Sequence, residues 1–219
     1  MPIHLNPAAE LAERVLLPGD PHRALAVAQS LLTDPKMFNH RRGLWGYTGA
    51  AGDGELLTIQ STGMGGPSAA IVCEELIELG ARTLIRIGTC GALTAGIELG
   101  TVAVVQRAFA RDGTSRALGA GDVVMPDAEL TAALELRPVT AASVDLFYGD
   151  PDTRYADVVE MECATIFQVA NMRGARAACV LGVSDLVGDG ERRRIDEDNL
   201  EGLGVSLGEA AYRALVANS

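Results

Sequence analysis

An alternation along the chain most constrains its fold. Short apolar and β-branched runs, each about the length of one buried strand, alternate with stretches of helical spacing. Thr83-Leu84-Ile85-Arg86-Ile87-Gly88 is the plainest run, and 15–17, 102–106, 140–144 and 177–183 are others. Helical patterns cover 22–32, 67–79, 161–172 and 202–217, where Pro67 suits a first turn and Gly80 a left-handed stop. Two further strands are expected over 43–48 and 56–61, separated by a glycine-rich turn over 49–54. Strands this apolar are buried on both faces, so the pattern implies a layered α/β domain. The stretch 107–137 gives no clear period.

Length and composition narrow the class further. At about 150 residues per domain, 219 residues make one domain or a tight pair, and we read 1–219 as one domain. Hydrophobic residues at 48% can fill a core, which excludes a disordered chain. Lys and Arg number 18 against 29 Asp and Glu, a net charge of −11. That field repels nucleic acids and anionic membranes, yet a few arginines in a cleft can still hold a small anion. Aromatics at 4% argue against a stacking platform for single strands. No apolar run reaches the roughly 18 residues of a membrane span, and the first residues carry no basic or apolar targeting pattern. A cytoplasmic location is the expectation. Cys73, Cys90, Cys163 and Cys179 form no CxxC pair and lie in apolar stretches, so they read as buried, reduced thiols and not as a metal site.

Ligands of open α/β sheets gather at the carboxyl ends of strands. The residues expected there are Gly19 and Asp20 with Arg23, then Gly63-Met64-Gly65, Arg86 with Thr89-Cys90-Gly91, Phe147, and Ser184-Asp185. Glycine-turn amides and two arginine forks make an anion site, and phosphate is its natural occupant. Each element also has a plainer reading. The segment 63–68 can be a strand-to-helix turn; Ser68 stands where a dinucleotide fingerprint needs its third glycine, and no P-loop motif occurs. Arg86 can belong to a structural ion pair. Arg23 can lie on a solvated face, Asp185 can cap a helix, and Glu160 and Glu162 can be surface charge.

Taken together, the motifs resemble one family, the hexameric purine nucleoside and uridine phosphorylases. Leu16-Leu17-Pro18-Gly19-Asp20-Pro21-His22-Arg23-Ala24 resembles its phosphate loop. Ser61-Thr62-Gly63-Met64-Gly65-Gly66-Pro67-Ser68 with Glu74-Glu75-Leu76 resembles a second block, and Ile85-Arg86-Ile87-Gly88-Thr89-Cys90-Gly91-Ala92 a third. Val159-Glu160-Met161-Glu162-Cys163-Ala164 is similar to the ribose-binding block and Val183-Ser184-Asp185 to the acid loop. The blocks keep the family's order from His4 to Asp185, and the bacterial purine type is the nearest match.

The resemblance implies a three-layer α/β/α domain with a mixed, largely buried central sheet. It implies phosphorolysis, in which a nucleoside and inorganic phosphate give a free base and a pentose 1-phosphate in nucleoside salvage. Gly19, Arg23, Arg86 and Thr89 would bind phosphate, joined by Arg42 of a neighbouring subunit. Glu162 would accept hydrogen bonds from the 2′- and 3′-hydroxyls, with Met64, Glu160 and Met161 beside the sugar and His4 reaching in from the neighbour to the 5′-hydroxyl. Cys90, Gly91, Phe147, Val159, Ser184 and Asp185 would line the base. Arg86 would stabilise the reacting phosphate, and a protonated Asp185 would donate to purine N7, which needs surroundings that favour its neutral form. A homohexamer, a trimer of dimers, is implied, with phosphate as co-substrate and neither metal nor organic cofactor. Other readings stay open: a uridine phosphorylase, a nucleosidase using water, or a non-catalytic nucleoside-binding subunit.

The chain departs from the pattern in several places, and residues 130–140 are compressed relative to it. The segment between Phe147 and Glu160 is shorter than in the enzymes it resembles. Arg154-Tyr155 is similar to a uracil-reading pair, but Asp152 stands where that pattern has Gln. The arginine that often follows the acid loop is also displaced: Arg192, Arg193 and Arg194 come early and Asp198 stands near its place.

Overall fold

A computed structural model describes residues 2–149, 151–187 and 193–217. In chain order the elements are β1 (Arg14–Pro18), α1 (Pro21–Leu31), β2 (Leu32–Asn39), a 3-10 turn (Arg41–Gly43), β3 (Gly46–Ala51), β4 (Leu56–Gln60) and α2 (Gly66–Leu79). There follow β5 (Thr83–Ala92), β6 (Val102–Ala110), α3 (Gly113–Ala117), β7 (Val123–Val124), α4 (Ala128–Ala132) and β8 (Arg137–Ser143). The chain continues through β9 (Val158–Glu160), α5 (Cys163–Arg173), β10 (Arg176–Leu186), β11 (Arg193–Arg194) and α6 (Glu197–Ala217). Asp20 starts α1 by accepting from the His22 amide, with Pro21 in the first turn, and Gly80 ends α2 at φ 123°.

All strands join one mixed sheet. Its open flank runs β2, β3, β4, β1, with β1 parallel to both β4 and β5. Beyond β5 the sheet closes on itself: β5 pairs with β10, β10 with β6, β6 with β8, β8 with β9, and β9 returns to β5. Closure removes exposed edges from this half.

Helices cover both faces, as the two-residue period of the strands requires. Val15, Leu17, Leu84, Cys179 and Leu181 pack with α2 and α5. Leu16, Ile85, Ile87, Ala178 and Val180 pack with α1 and α6 on the other side. The architecture is therefore three-layer α/β/α. Arg86, between Ile85 and Ile87, falls on the α2–α5 face of β5.

The structure corrects several boundaries. The strand β2 was not expected, because Pro35 breaks its pattern. It is the outermost strand and its register shifts between Thr33 and Lys36, around the proline, a position that tolerates a missing N–H. Residues 49–51 continue β3 instead of turning. Thr89, Cys90 and Gly91 lie within β5 and not beyond it, because β10 and β9 both pair with its far end. Asp185 is likewise inside β10 and caps no helix. The illegible stretch holds the end of β6, α3, β7 and α4, none of the last three longer than five residues.

The four cysteines are free and buried. Burial pushes the Cys73 thiol up to about 12 and those of Cys90 and Cys163 further, so these sulfurs stay un-ionised and non-nucleophilic. Among the described residues, no helix is long and apolar enough to cross a membrane.

Candidate active site

The centre is a buried guanidinium between two carboxylates. Arg86 is 4% exposed, and its Nη2 lies 2.5 Å from Glu162 Oε2 and 3.3 Å from Glu160 Oε2. Its side chain folds back over Gly88: a methyl group there would sit 2.6 Å from Nη2. Only glycine at this place lets the fork lie along the strand. Arg86 Nε is buried and has no hydrogen-bond partner among the described residues.

The two carboxylates do different things. Glu160 is tied into the protein. It accepts from the Glu162 amide at 2.7 Å and from the Cys163 amide, at the start of α5, and Ser143 Oγ also donates to it. Ser143 Oγ in turn accepts from the Ala164 amide at 2.9 Å. Negative charge at a helix N-terminus is favourable. Glu162 instead faces the glycine loop, where its Oε1 accepts from the Gly65 amide at 2.6 Å. Gly63 and Gly65 have φ of 72° and 84°, left-handed values that suit glycine.

Burial alone would favour loss of the Arg86 proton. Glu162 and then Glu160 outweigh it and hold its pKa well above the ordinary arginine value. Burial raises the pKa of Glu162, and Glu160 adds to that rise while Arg86 opposes it. Arg23, on α1, is half-buried and not on a solvated face. Burial lowers its pKa, and the like charge of Arg86 lowers it further. The two arginines thus lie within Coulombic reach of each other. Arg23 Nη1 donates to the Ile87 carbonyl at 3.4 Å, and a methyl group on Gly204 of α6 would press on its stem at 3.1 Å. Gly19 completes this corner, where a methyl group would stand 3.3 Å from the Gly63 carbonyl and 4.0 Å from Arg86 Nη1.

Further along β5 lies a second cluster. Gly91 pairs with Val159 of β9 and Asp185 of β10, and Val187 crowds it so closely that a methyl group would meet Val187 at 2.6 Å. A bulge between Val183 and Asp185 turns the strand there. Ser184 Oγ donates to Asp185 Oδ2 at 2.8 Å. The cross-strand partner of Asp185 is Arg194, with Arg193 opposite Leu186; Arg192 lies outside the described residues. The head of Arg86 is level with Gly88, and Gly91 is three residues on, about 10 Å at 3.3 Å per residue. Thr89 is half-buried between the two ends, and Cys90, also between them, points its Sγ at the Gly182 carbonyl at 3.7 Å. Val159 and Met161 back onto the small apolar cluster of Ala142, Val144 and Ala156.

Other expected residues lie outside these clusters. Met64 is 85% exposed and Phe147 48%, the latter edge-on to Tyr148 at 5.0 Å between ring centres. Arg42 is exposed on the 3-10 turn, with φ 59°. His4 is held against Glu75, on the third turn of α2. Glu75, Gly88 and Ser143 were not singled out from the sequence. Gly88 was legible in principle, because it is two residues from Arg86 and so on its face. A cavity of about 370 Å³ between β6 and α4, lined by Val104, Met125, Thr131 and Leu136 among others, includes none of the expected residues.

A family model described as "phosphorylase superfamily" matches residues 13–215. The chain belongs to the phosphorylase superfamily. A Geobacillus kaustophilus protein named purine nucleoside phosphorylase DeoD-type is 35% identical over 235 aligned positions, covering 97% of this chain and 99% of its own. Relatives of the same name from Oceanobacillus iheyensis and Listeria monocytogenes are 34% and 35% identical, each covering 90% of this chain and 92% of their own. The superfamily's sheet and its helices on both faces are those described above.

Proposed function

We propose that the protein is a purine nucleoside phosphorylase. The observation that carries the reading is the nearly inaccessible Arg86 fork, flanked by Arg23 and Gly19, with an unpartnered Nε beside a carboxylate that can accept from vicinal hydroxyls. Phosphate takes the Arg23–Arg86–Gly19 corner with Thr89. Glu162 turns from Arg86 to the 2′- and 3′-hydroxyls, while Glu160 holds α5 and Met64 and Met161 flank the sugar. The base lies over Cys90, Gly91, Val159, Ser184 and Asp185, and Phe147 covers it.

The chemistry then follows from charge. As the glycosidic bond opens, positive charge develops on the sugar and negative charge on the leaving base. The phosphate beneath stabilises the first, and a proton from Asp185 to N7 neutralises the second. The reaction needs inorganic phosphate and neither metal nor organic cofactor. Two guanidinium groups face two carboxylates in this corner, so their formal charges cancel. A phosphate anion calls for further positive charge, and Arg42 of a neighbouring subunit supplies it in a hexamer of three dimers. A cytoplasmic salvage role suits this substrate class.

Arg154 favours purine over uracil. Its Nε and Nη2 form a fork on Asp152 at 2.9 Å each, which commits the group that resembles a uracil reader. The test is a nucleoside panel of inosine, adenosine and uridine, each with and without phosphate. Phosphate-dependent turnover of the purines is expected. Phosphate-independent cleavage would make the protein a nucleosidase, preference for uridine would reverse the base assignment, and no turnover would leave a binding subunit.

A further inference from the structure

Glu75 takes its hydrogen-bond donors among the described residues from the N-terminal segment. Its Oε1 accepts from the Ile3 amide at 3.0 Å, its Oε2 from the Leu5 amide at 2.7 Å, and both accept from the His4 amide at 3.0 Å. The His4 ring adds Nδ1, 2.7 Å from Oε1. Leu5 is buried in the core, and the Asn6 amide donates to Asn39 Oδ1, so the segment is clamped on both sides of the histidine. Burial opposes ionisation of Glu75, but the Leu5 and Ile3 amides and the His4 ring outweigh it and hold its pKa down to about 2. An ionised carboxylate only accepts. In its neutral form the ring therefore carries its proton on Nδ1 and leaves a lone pair on Nε2.

Distance decides where that lone pair can act. Glu75 is nine residues from Gly66, about 13 Å along α2 at 1.5 Å per residue. Glu162 meets the other end of this helix. A ring pinned at the third turn cannot reach the sugar of its own chain, but it is partly exposed and can enter a second copy's site.

We infer that Glu75 is a positioning residue, which straps the N-terminus to α2 and fixes His4 as the tautomer that accepts a hydrogen bond from the 5′-hydroxyl of a nucleoside held by a neighbouring copy. This rests on the functional reading above. It makes the site selective for a substrate that can donate at the 5′ position.

The test compares inosine with 5′-deoxyinosine, each with phosphate, in the unaltered protein, His4→Ala, Glu75→Gln and the double variant, with thermal melting as the check on folding. His4→Ala should lower kcat/KM for inosine about tenfold, as loss of one hydrogen bond does, and that for 5′-deoxyinosine much less. Glu75→Gln should shrink the inosine preference to the same extent, and the double variant should shrink it no further. Equal slowing of both substrates in Glu75→Gln would make the residue merely structural and overturn the inference. An unchanged preference in His4→Ala would overturn it too. Absence of phosphate-dependent turnover in the unaltered protein would instead sink the functional reading itself. Nitrogen NMR of histidine-labelled protein, with His4 assigned by its loss in His4→Ala, reads the tautomer directly. A proton on Nε2 with Nδ1 bare overturns the inference even if Glu75→Gln fails to fold.

Discussion

At the proposed phosphate end, Arg86, Glu160 and Glu162 sit inside the protein, on β5, at the end of β9 and at the start of α5, with their positions set by Gly88, Ser143 and the first amides of the helix. At the proposed base end, Phe147 and Tyr148 project from a connection, and Asp152 and Arg154 pair on an exposed turn. Substitutions at the first end disturb buried charge. Those at the second end meet solvent and can be absorbed. Phosphate is the same for every reaction of such an enzyme, while the base varies, so rigidity at one end and latitude at the other suit the task.

The hardest test of this contrast is Arg86→Met. It leaves Glu160 and Glu162 buried without their cation, and removing one partner of a buried ion pair costs about 3–5 kcal/mol. We expect a melting temperature many degrees lower and no measurable phosphorolysis. Arg86→Lys keeps the charge but loses the fork. It should fold, with the KM for phosphate raised at least tenfold. A Lys variant of normal activity would mean that the two-pronged geometry is not what holds the anion.

Gly88→Ala comes next. Its methyl group would overlap the Arg86 head, which must swing off the strand. The expected outcome is a 10–100-fold loss in kcat/KM (about 1.4–2.7 kcal/mol at 1.36 kcal/mol per tenfold), chiefly through KM for phosphate, with the KM for nucleoside changed less. Loss shared equally between both substrates would place Arg86 between them and not at one end.

These two residues also mark what the sequence made legible. Arg86 stood out because a charge inside an apolar run needs a partner, and Glu160 and Glu162 proved to be those partners. Ring closure was not legible. It depends on β9, three residues long, and on the far halves of β5 and β10, whose glycines and polar residues look like strand ends when read alone. Pairing on both sides keeps them in the sheet, and that is a property of the tertiary structure. Glu75 stands in a block that carries the resemblance, but its role was not legible for a related reason: its partners lie about 70 residues away in sequence.

Phe147→Ala tests the base end. The ring is half-exposed, so no loss of stability is expected. Activity should fall up to tenfold, in the KM for nucleoside, with the KM for phosphate unchanged. A fall in melting temperature comparable to that of Arg86→Met would show that the connection is as structural as the core, and the contrast would fail.

The smallest effect is expected from Asp152→Asn. Asp152 is held ionised well below the usual carboxylate range by the Arg154 fork and the Arg154 amide. A depressed folded pKa stabilises above the unfolded value and loses that contribution as pH falls towards the folded one. The pair is solvent-screened, however, so neither the substitution nor acid below about pH 4, where that contribution is lost, should move the melting temperature through this group measurably. Its role is to occupy Arg154. Freed of it, Arg154 can turn to a pyrimidine carbonyl, and uridine turnover relative to inosine should rise a few-fold while inosine itself is unaffected. A rise of a hundredfold would mean that this exposed pair, and not the buried strand residues Gly91 and Asp185, chooses the base. No rise at all would remove Arg154 from base selection and leave that choice to the strand residues alone.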